Sequence, residues 1–369
     1  MRLPVGRTCS DRRFQRVRNF PFEVSQRMGI RKRTNSLLIL TGMLLLSGLV
    51  AKAEGVLYFT PGESGWESLL ANVRKISILA PQVFTVNKEG QVTGAVEDRV
   101  RKLAAEQGIR LMPLLVNEQF SPEVAHRILG DAKLRQRVIS DSLRLCRENG
   151  CWGLQLDFEK VLLEDKGNYV QFVREAASAF RPHKLRFSVV VPPPLVRPNL
   201  PPEASNRFLI ARTPYDLREI GRHVDLLTLM TYDENTSADS PGPIASYDWV
   251  EQSIRYALRF VPRQKLFMGL GFYGRQWCNQ QVSESSFLEV ASLAAREALS
   301  FRWHPVHRSP WLEFEGEGCR SILWFENSQS LAEKLQLVQK HRLAGFSAWR
   351  LGQEDPAFWR QIRERPRRP

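Results

Sequence analysis

A (β/α)8 TIM barrel is the fold class this sequence predicts, on three observations. From residue 55 onward, short apolar runs alternate with amphipathic segments. Eight such runs fall within roughly 300 residues, the usual span of a barrel of this kind. Several are apolar almost throughout and rich in β-branched and aromatic residues, which is how strands buried on both faces of a parallel sheet read. A doubly wound open sheet is the other α/β option. No G-x-G-x-x-G follows the first run, so nothing supports a dinucleotide site, and no cofactor is expected.

The eight predicted strands are residues 56–60, 76–84 (ISILAPQVF), 110–116 (RLMPLLV), 152–159, 186–191 (RFSVVV), 225–232 (DLLTLMTY), 266–273 (LFMGLGFY) and 345–349 (GFSAW). Helical patterns lie between them at 96–107, 132–148, 168–180, 249–260 and 330–341. Ser330 reads as an N-cap, with Glu333 three residues on completing a capping box. The connection between the last two strands is too long for a simple loop. Residues 275–325 contain a helix-like stretch at 286–299 and short strand-like runs, so they read as a small α+β insertion at the rim.

The net charge of +14 is a poor guide to partners. Residues 1–53 hold eleven Lys/Arg and two acids, a net +9, and part of the remaining +5 sits at Arg363, Arg365, Arg367 and Arg368. The body is near neutral, and a nucleic-acid partner is not implied. Arg31-Lys32-Arg33, the apolar stretch 36–50 and Ala51-Lys52-Ala53 have the form of a secretory signal with an A-x-A cleavage site. The apolar stretch is short for a membrane span, and an uncleaved anchor is the other reading. Met28 makes a more usual start for such a leader. The expected organisation is therefore an extension and leader over 1–53, a barrel over 54–360 and a basic tail over 361–369, in an exported, monomeric protein of the periplasm, cell envelope or extracellular space.

Export permits disulfides. Cys146, Cys151, Cys278 and Cys319 follow the leader and match no zinc motif. Cys278 and Cys319 can pair within the insertion; buried free thiols are the alternative. The six His residues show no H-E-x-x-H spacing, and no metal is implied.

Chemistry concentrates in Gly153-Leu154-Gln155-Leu156-Asp157-Phe158-Glu159. Alternate strand residues share a face, so Gln155, Asp157 and Glu159 point together into the barrel while Leu154, Leu156 and Phe158 face the helices. Three polar residues inside an apolar core are costly unless used. Glu159 ends the run, at the face where barrel active sites form.

This segment resembles the D-G-x-D-x-D-x-E signature of glycoside hydrolase family 18, the chitinase-like enzymes. Gly153, Asp157 and Glu159 match; Trp152 and Gln155 stand where the signature has Asp. The variant resembles the branch related to spore-cortex-lytic and other peptidoglycan-directed members. The resemblance covers nearly all of residues 55–359. Leu229-Met230-Thr231-Tyr232-Asp233 is similar to the M-x-Y-D block, and Pro241-Gly242-Pro243 with Trp249-Val250-Glu251 continues it. Leu270-Gly271-Phe272-Tyr273-Gly274 and the stretch from Gly345 to Gly352 resemble the blocks of the last two strands.

The resemblance implies substrate-assisted retaining hydrolysis. Glu159 would protonate the leaving oxygen, and the 2-acetamido oxygen of the sugar would attack C1. Asp157 would hold the acetamido N–H, and Tyr232 would orient the acetamido oxygen. Burial and the Asp157 charge should raise the pKa of Glu159, and Gln155 should hydrogen-bond Asp157 and hold it ionised. Trp349 would stack on a sugar. Gln155, Met230, Asp233, Tyr58, Gln82, Asn117 and Tyr273 are the other candidates for substrate binding. The partner implied is an N-acetylglucosamine-containing β-1,4-linked polysaccharide, peptidoglycan-type first and chitin oligomers second. A catalytically weak or inactive carbohydrate-binding barrel is the alternative, motivated by Trp152 and Gln155. A third reading has the basic tail resting on anionic wall polymers.

Overall fold

The computed structural model describes residues 54–193, 213–236, 241–316 and 318–366. The expected leader, its cleavage site, the extension before Met28, and Arg367 and Arg368 lie outside the described residues. Eight parallel strands close into a barrel: β1 (Glu54–Phe59), β2 (Ile78–Val86), β3 (Leu114–Asn117), β4 (Gly153–Asp157), β5 (Arg186–Val191), β6 (Leu226–Leu229), β7 (Leu266–Gly271) and β8 (Gly345–Trp349). Each pairs with its sequence neighbours, and β1 closes the ring by pairing with both β2 and β8.

Period-2 alternation divides each strand between two apolar environments. Leu154, Leu156 and Phe158 pack outward with Phe172 and Val173 of the helix Lys166–Phe180 in the main core. Val56, Tyr58, Ile78, Ala80, Met112, Leu114, Val116 and Phe267 fill the barrel interior. Trp152, Leu226 and Ala344, each just before or at the start of its strand, close the end of the barrel opposite Glu159. Arg110 lies over the Trp152 ring, 4.8 Å from its centroid. Gly153 lets β4 approach β5: a Cβ there would meet the Arg186 carbonyl oxygen at 2.5 Å.

Of the surrounding helices, Ala132–Glu148 has its predicted limits, while Asp98–Gln107, Lys166–Phe180, Tyr247–Ala257 and Ser328–His341 each begin two residues from theirs. Helices Glu63–Ala71, Pro122–Gly130 and Leu217–His223 are too short to show a long apolar period and are additional to the predicted set. The cap of the last helix is corrected. Asn327 is the N-cap, its Oδ1 accepting from the Ser330 amide at 2.9 Å while Ser330 Oγ accepts from the Asn327 amide at 3.0 Å. Ser330 thus supplies the other half of the capping box, and Glu333 turns away to pair with Arg308.

Between β7 and β8 a second, antiparallel sheet of five strands carries the helix Phe287–Arg296 on one face, with Ser286 and Glu289 as a capping box. Cys278 and Cys319 form a disulfide within this sheet, with Cα atoms 5.8 Å apart, whereas Cys146 and Cys151 are buried free thiols. Arg365 of the expected tail is tied to the barrel: it donates to the carbonyls of Val73, Gln107 and Gly108. Among the described residues no helix is long and apolar enough to cross a membrane.

Candidate active site

The C-terminal ends of the barrel strands bring most of the candidate residues to one mouth. β4 ends at Asp157, so Glu159 stands two residues beyond the strand, on the loop, and is half-buried. Its main chain is held from both sides. Asn117, fully buried at the end of β3, accepts from the Glu159 amide at 3.0 Å and donates Nδ2 to the Glu159 carbonyl at 3.2 Å. Between the two acids, Tyr215 donates its hydroxyl to the Phe158 carbonyl at 2.9 Å. Lys160 follows in the left-handed region, with φ 53°.

Asp157 is buried and its Oδ1 has no hydrogen-bond partner. Burial first, and the neighbouring Glu159 charge second, push its pKa up to about 8. Glu159 is also raised, by burial and then by Asp233, with Lys160 working against them. This corrects the expectation that Asp157 would press on Glu159. The deeper carboxyl keeps its proton more readily, so the repulsion within the pair falls on Asp157.

Gln155 is corrected as well. It points into the barrel but does not hydrogen-bond Asp157; its Nε2 donates to Ser188 Oγ at 2.9 Å and Thr228 Oγ1 at 3.3 Å. The reason is register. Ser188 is the β5 residue opposite Gln155, and Thr228 follows on β6, whereas Asp157 is two residues along the same strand, roughly 6–7 Å away. Trp152, the other departure from the signature, lies at the far end of the barrel from the acids.

Tyr232 follows β6 and is buried. Gly269 makes room for its ring, since a Cβ there would meet Tyr232 Cε1 at 2.9 Å and the Leu229 carbonyl oxygen at 2.5 Å. Thr231 anchors the turn by donating to the Gly269 carbonyl at 2.7 Å. Burial raises the Tyr232 phenol well above its ordinary range, with Tyr58 and Asp157 adding to the effect, so it remains a hydrogen-bond donor at neutral pH. Tyr232, Ile244 and Tyr273 form a small apolar cluster against which Met230 and Trp349 pack. Trp349 is half-buried, its ring 5.5 Å from that of Tyr58. The Tyr58 hydroxyl faces Ser347 and Thr228 without an ordinary hydrogen bond to either. Gln82 is half-buried and continues the inward row of Ile78 and Ala80 before a bulge in β2.

Asp233 is exposed, in the left-handed region at φ 63°. It accepts from the Tyr273 hydroxyl and, at 2.7 Å, from Arg275 Nη2. Arg275 is buried and also reaches Glu284 at 2.8 Å and the Asn235 carbonyl at 3.0 Å. Sequence reasoning missed Arg275, although period-2 spacing from Tyr273 on one strand would have found it. It missed Tyr215, which no local pattern marks. Among the described residues no group of three or more His, Cys, Asp or Glu is placed to hold a metal ion.

Comparison with known proteins gives this geometry a family. The chain is 25% identical over 325 residues to "Uncharacterized glycosylase YvbX" of Bacillus subtilis (strain 168), covering 85% of this chain and 92% of that one. It is 26% identical over 286 residues to the "Cortical fragment-lytic enzyme" of the same organism, covering 75% of this chain and 64% of the relative, just under two thirds. The crystal structure of a chitinase from Chromobacterium violaceum ATCC 12472 superposes with a TM-score of 0.76 at 26% identity, over 84% of this chain and 98% of that one. The spore cortex-lytic enzyme SleL of Bacillus megaterium QM B1551 shares the fold, with a TM-score of 0.74 at 22% identity over 84% and 73% of the two chains. The model of the glycosyl hydrolases family 18 matches residues 85–354, and the chain belongs to that family as a glycoside hydrolase.

Proposed function

We propose that this hydrolase cleaves β-1,4-linked glycan containing N-acetylglucosamine, peptidoglycan-type glycan before chitin oligomers, by a retaining mechanism in which the substrate's own acetamido group is the nucleophile. The observation that carries the reading is the convergence of Asp157, Glu159 and Tyr232 at the C-terminal mouth, beside the half-buried face of Trp349.

Asp157 and Glu159 titrate as a pair. Without substrate the proton resides on Asp157, the deeper group. A substrate acetamido N–H donated to Asp157 favours its ionised form and leaves the proton to Glu159. Glu159 then protonates the leaving glycosidic oxygen as the acetamido oxygen attacks C1. The resulting oxazolinium cation faces the Asp157 carboxylate, and Tyr232 donates to the acetamido oxygen. These groups are held by strands and buried turns before substrate arrives, so little reorganisation is required as charge develops. Gln155 supports the floor of this arrangement through Ser188 and Thr228 rather than by exchanging protons.

The reading includes export, resting on the residue pattern at 31–53, and N-terminal sequencing of the mature protein tests that part. For the activity, the purified protein is given N,N′-diacetylated oligosaccharides and, separately, isolated sacculi. Reducing ends should appear on at least one, with the β-anomer formed first. A folded protein that releases none from either would overturn the reading.

A further inference from the structure

We propose that Arg350 is a specificity residue that recognises a carboxylate carried by the glycan, so that the mouth of the barrel is built for an acidic substrate. This rests on the proposed activity and narrows its substrate class.

Arg350 directly follows Trp349 at the end of β8 and is half-buried. Its Nη1 donates to Thr60 Oγ1 at 2.6 Å, and Thr60 directly follows β1. Both are therefore at the catalytic mouth, beside the Tyr58–Trp349 contact. The surrounding backbone is fixed: the Leu351 amide donates to the Tyr58 carbonyl at 3.0 Å, and the Gln353 amide to the Arg350 carbonyl at 3.2 Å. Yet among the described residues no carboxylate pairs with Arg350. Among the described residues the buried cations are treated differently: Arg135 faces Glu175, Arg275 faces Asp233 and Glu284, and Lys334 faces Glu326.

A guanidinium presents five N–H donors in a planar fork, and here one neutral hydroxyl takes one of them. Withdrawing such a cation partly from water without a counter-charge is unfavourable. It becomes favourable when a ligand brings the anion, because the fork matches a carboxylate in two parallel hydrogen bonds. A polymer of N-acetylglucosamine alone is neutral and offers nothing of this kind. A glycan containing muramic acid does, through the lactyl carboxylate on O3 or, where that group is amide-linked, through the carboxylates of the attached peptide.

The test compares wild type, Arg350→Gln and Arg350→Lys on three substrates. These are neutral N-acetylglucosamine oligomers, glycan strands freed of peptide by an amidase, and soluble peptide-bearing strands. For Arg350→Gln the ratio of kcat/KM on acidic strands to that on neutral oligomers should fall about tenfold, the usual scale for a charge-assisted contact. Arg350→Lys should recover part of that ratio. A fall on peptide-free strands assigns the lactyl carboxylate; a fall confined to peptide-bearing strands assigns the peptide. An unchanged ratio, or an equal loss on neutral and acidic substrates, overturns the proposal. Binding of peptide-free and of peptide-bearing strands to Glu159→Gln, with and without Arg350→Gln, gives the same comparison without turnover: equal affinities for both kinds of strand also overturn it. Wild type inactive on all three substrates refutes the proposed activity instead.

Discussion

The carboxamide of Asn117 holds the main chain of Glu159 on both sides, accepting from its amide at 3.0 Å and donating to its carbonyl at 3.2 Å. A loop residue two positions past its strand thereby becomes as well placed as a strand residue. Asn117→Ala should lower kcat by about ten- to a hundredfold, since misplacement on the ångström scale has that effect on a reacting group. KM should change little, because the acid is displaced and the sugar contacts are not. Asn117→Asp, which keeps the acceptor for the Glu159 amide, should recover part of kcat. A KM effect alone would remove Asn117 from this role.

Glu159→Gln preserves shape and removes the proton donor. Product formation should drop by a factor of about 10² to 10⁴. Affinity for an N-acetylglucosamine oligomer, measured by titration calorimetry, should be retained. If turnover persists at the wild-type rate, Glu159 is not the acid.

The protonation of Asp157 has a signature in stability. Its pKa is about 8 in the folded chain, against an ordinary value near 3.8. Between those values the native state holds a proton that the unfolded chain has lost. The contribution of Asp157 to stability is therefore fully present below pH 3.8 and declines as pH rises toward about 8. Asp157→Asn cannot ionise and is exempt from the decline. The Tm of the variant minus that of wild type should grow from about pH 4 to about pH 8 and level off above it. A difference independent of pH would mean that Asp157 ionises freely inside the fold.

The Cys278–Cys319 disulfide closes a 41-residue separation within the small sheet that carries Arg275. On loop entropy alone it stabilises that unit by up to about 4 kcal/mol. Cys278→Ser with Cys319→Ser should lower the unfolding temperature of the insertion. Because Arg275 holds Asp233, the same variant should raise KM more than it lowers kcat. Unchanged KM after loss of the disulfide would separate the insertion from substrate binding.

Much of this protein is legible in its residues. The strand alternation, the barrel class and the inward facing of Gln155 and Asp157 follow from local period and spacing, whereas Glu159, past the end of β4, is placed by Asn117. What local pattern cannot express is which side chains meet across the sheet and how deeply each is buried. Ser330 reads as a cap from its spacing to Glu333, but its burial against Glu326 and Asn327 makes it the partner of the true cap. Gln155 reads as a brace for Asp157, and only the register with β5 and β6 brings Ser188 and Thr228 within reach of its Nε2. The pair Asp157 and Glu159 is readable as chemistry, whereas the site of its resting proton is decided by depth in a low-dielectric interior. Sequence determined which groups are present and which face they occupy, because those depend on neighbours along the chain. Tertiary structure decided partners, counter-charges and pKa values, because those depend on distances between residues far apart in the chain.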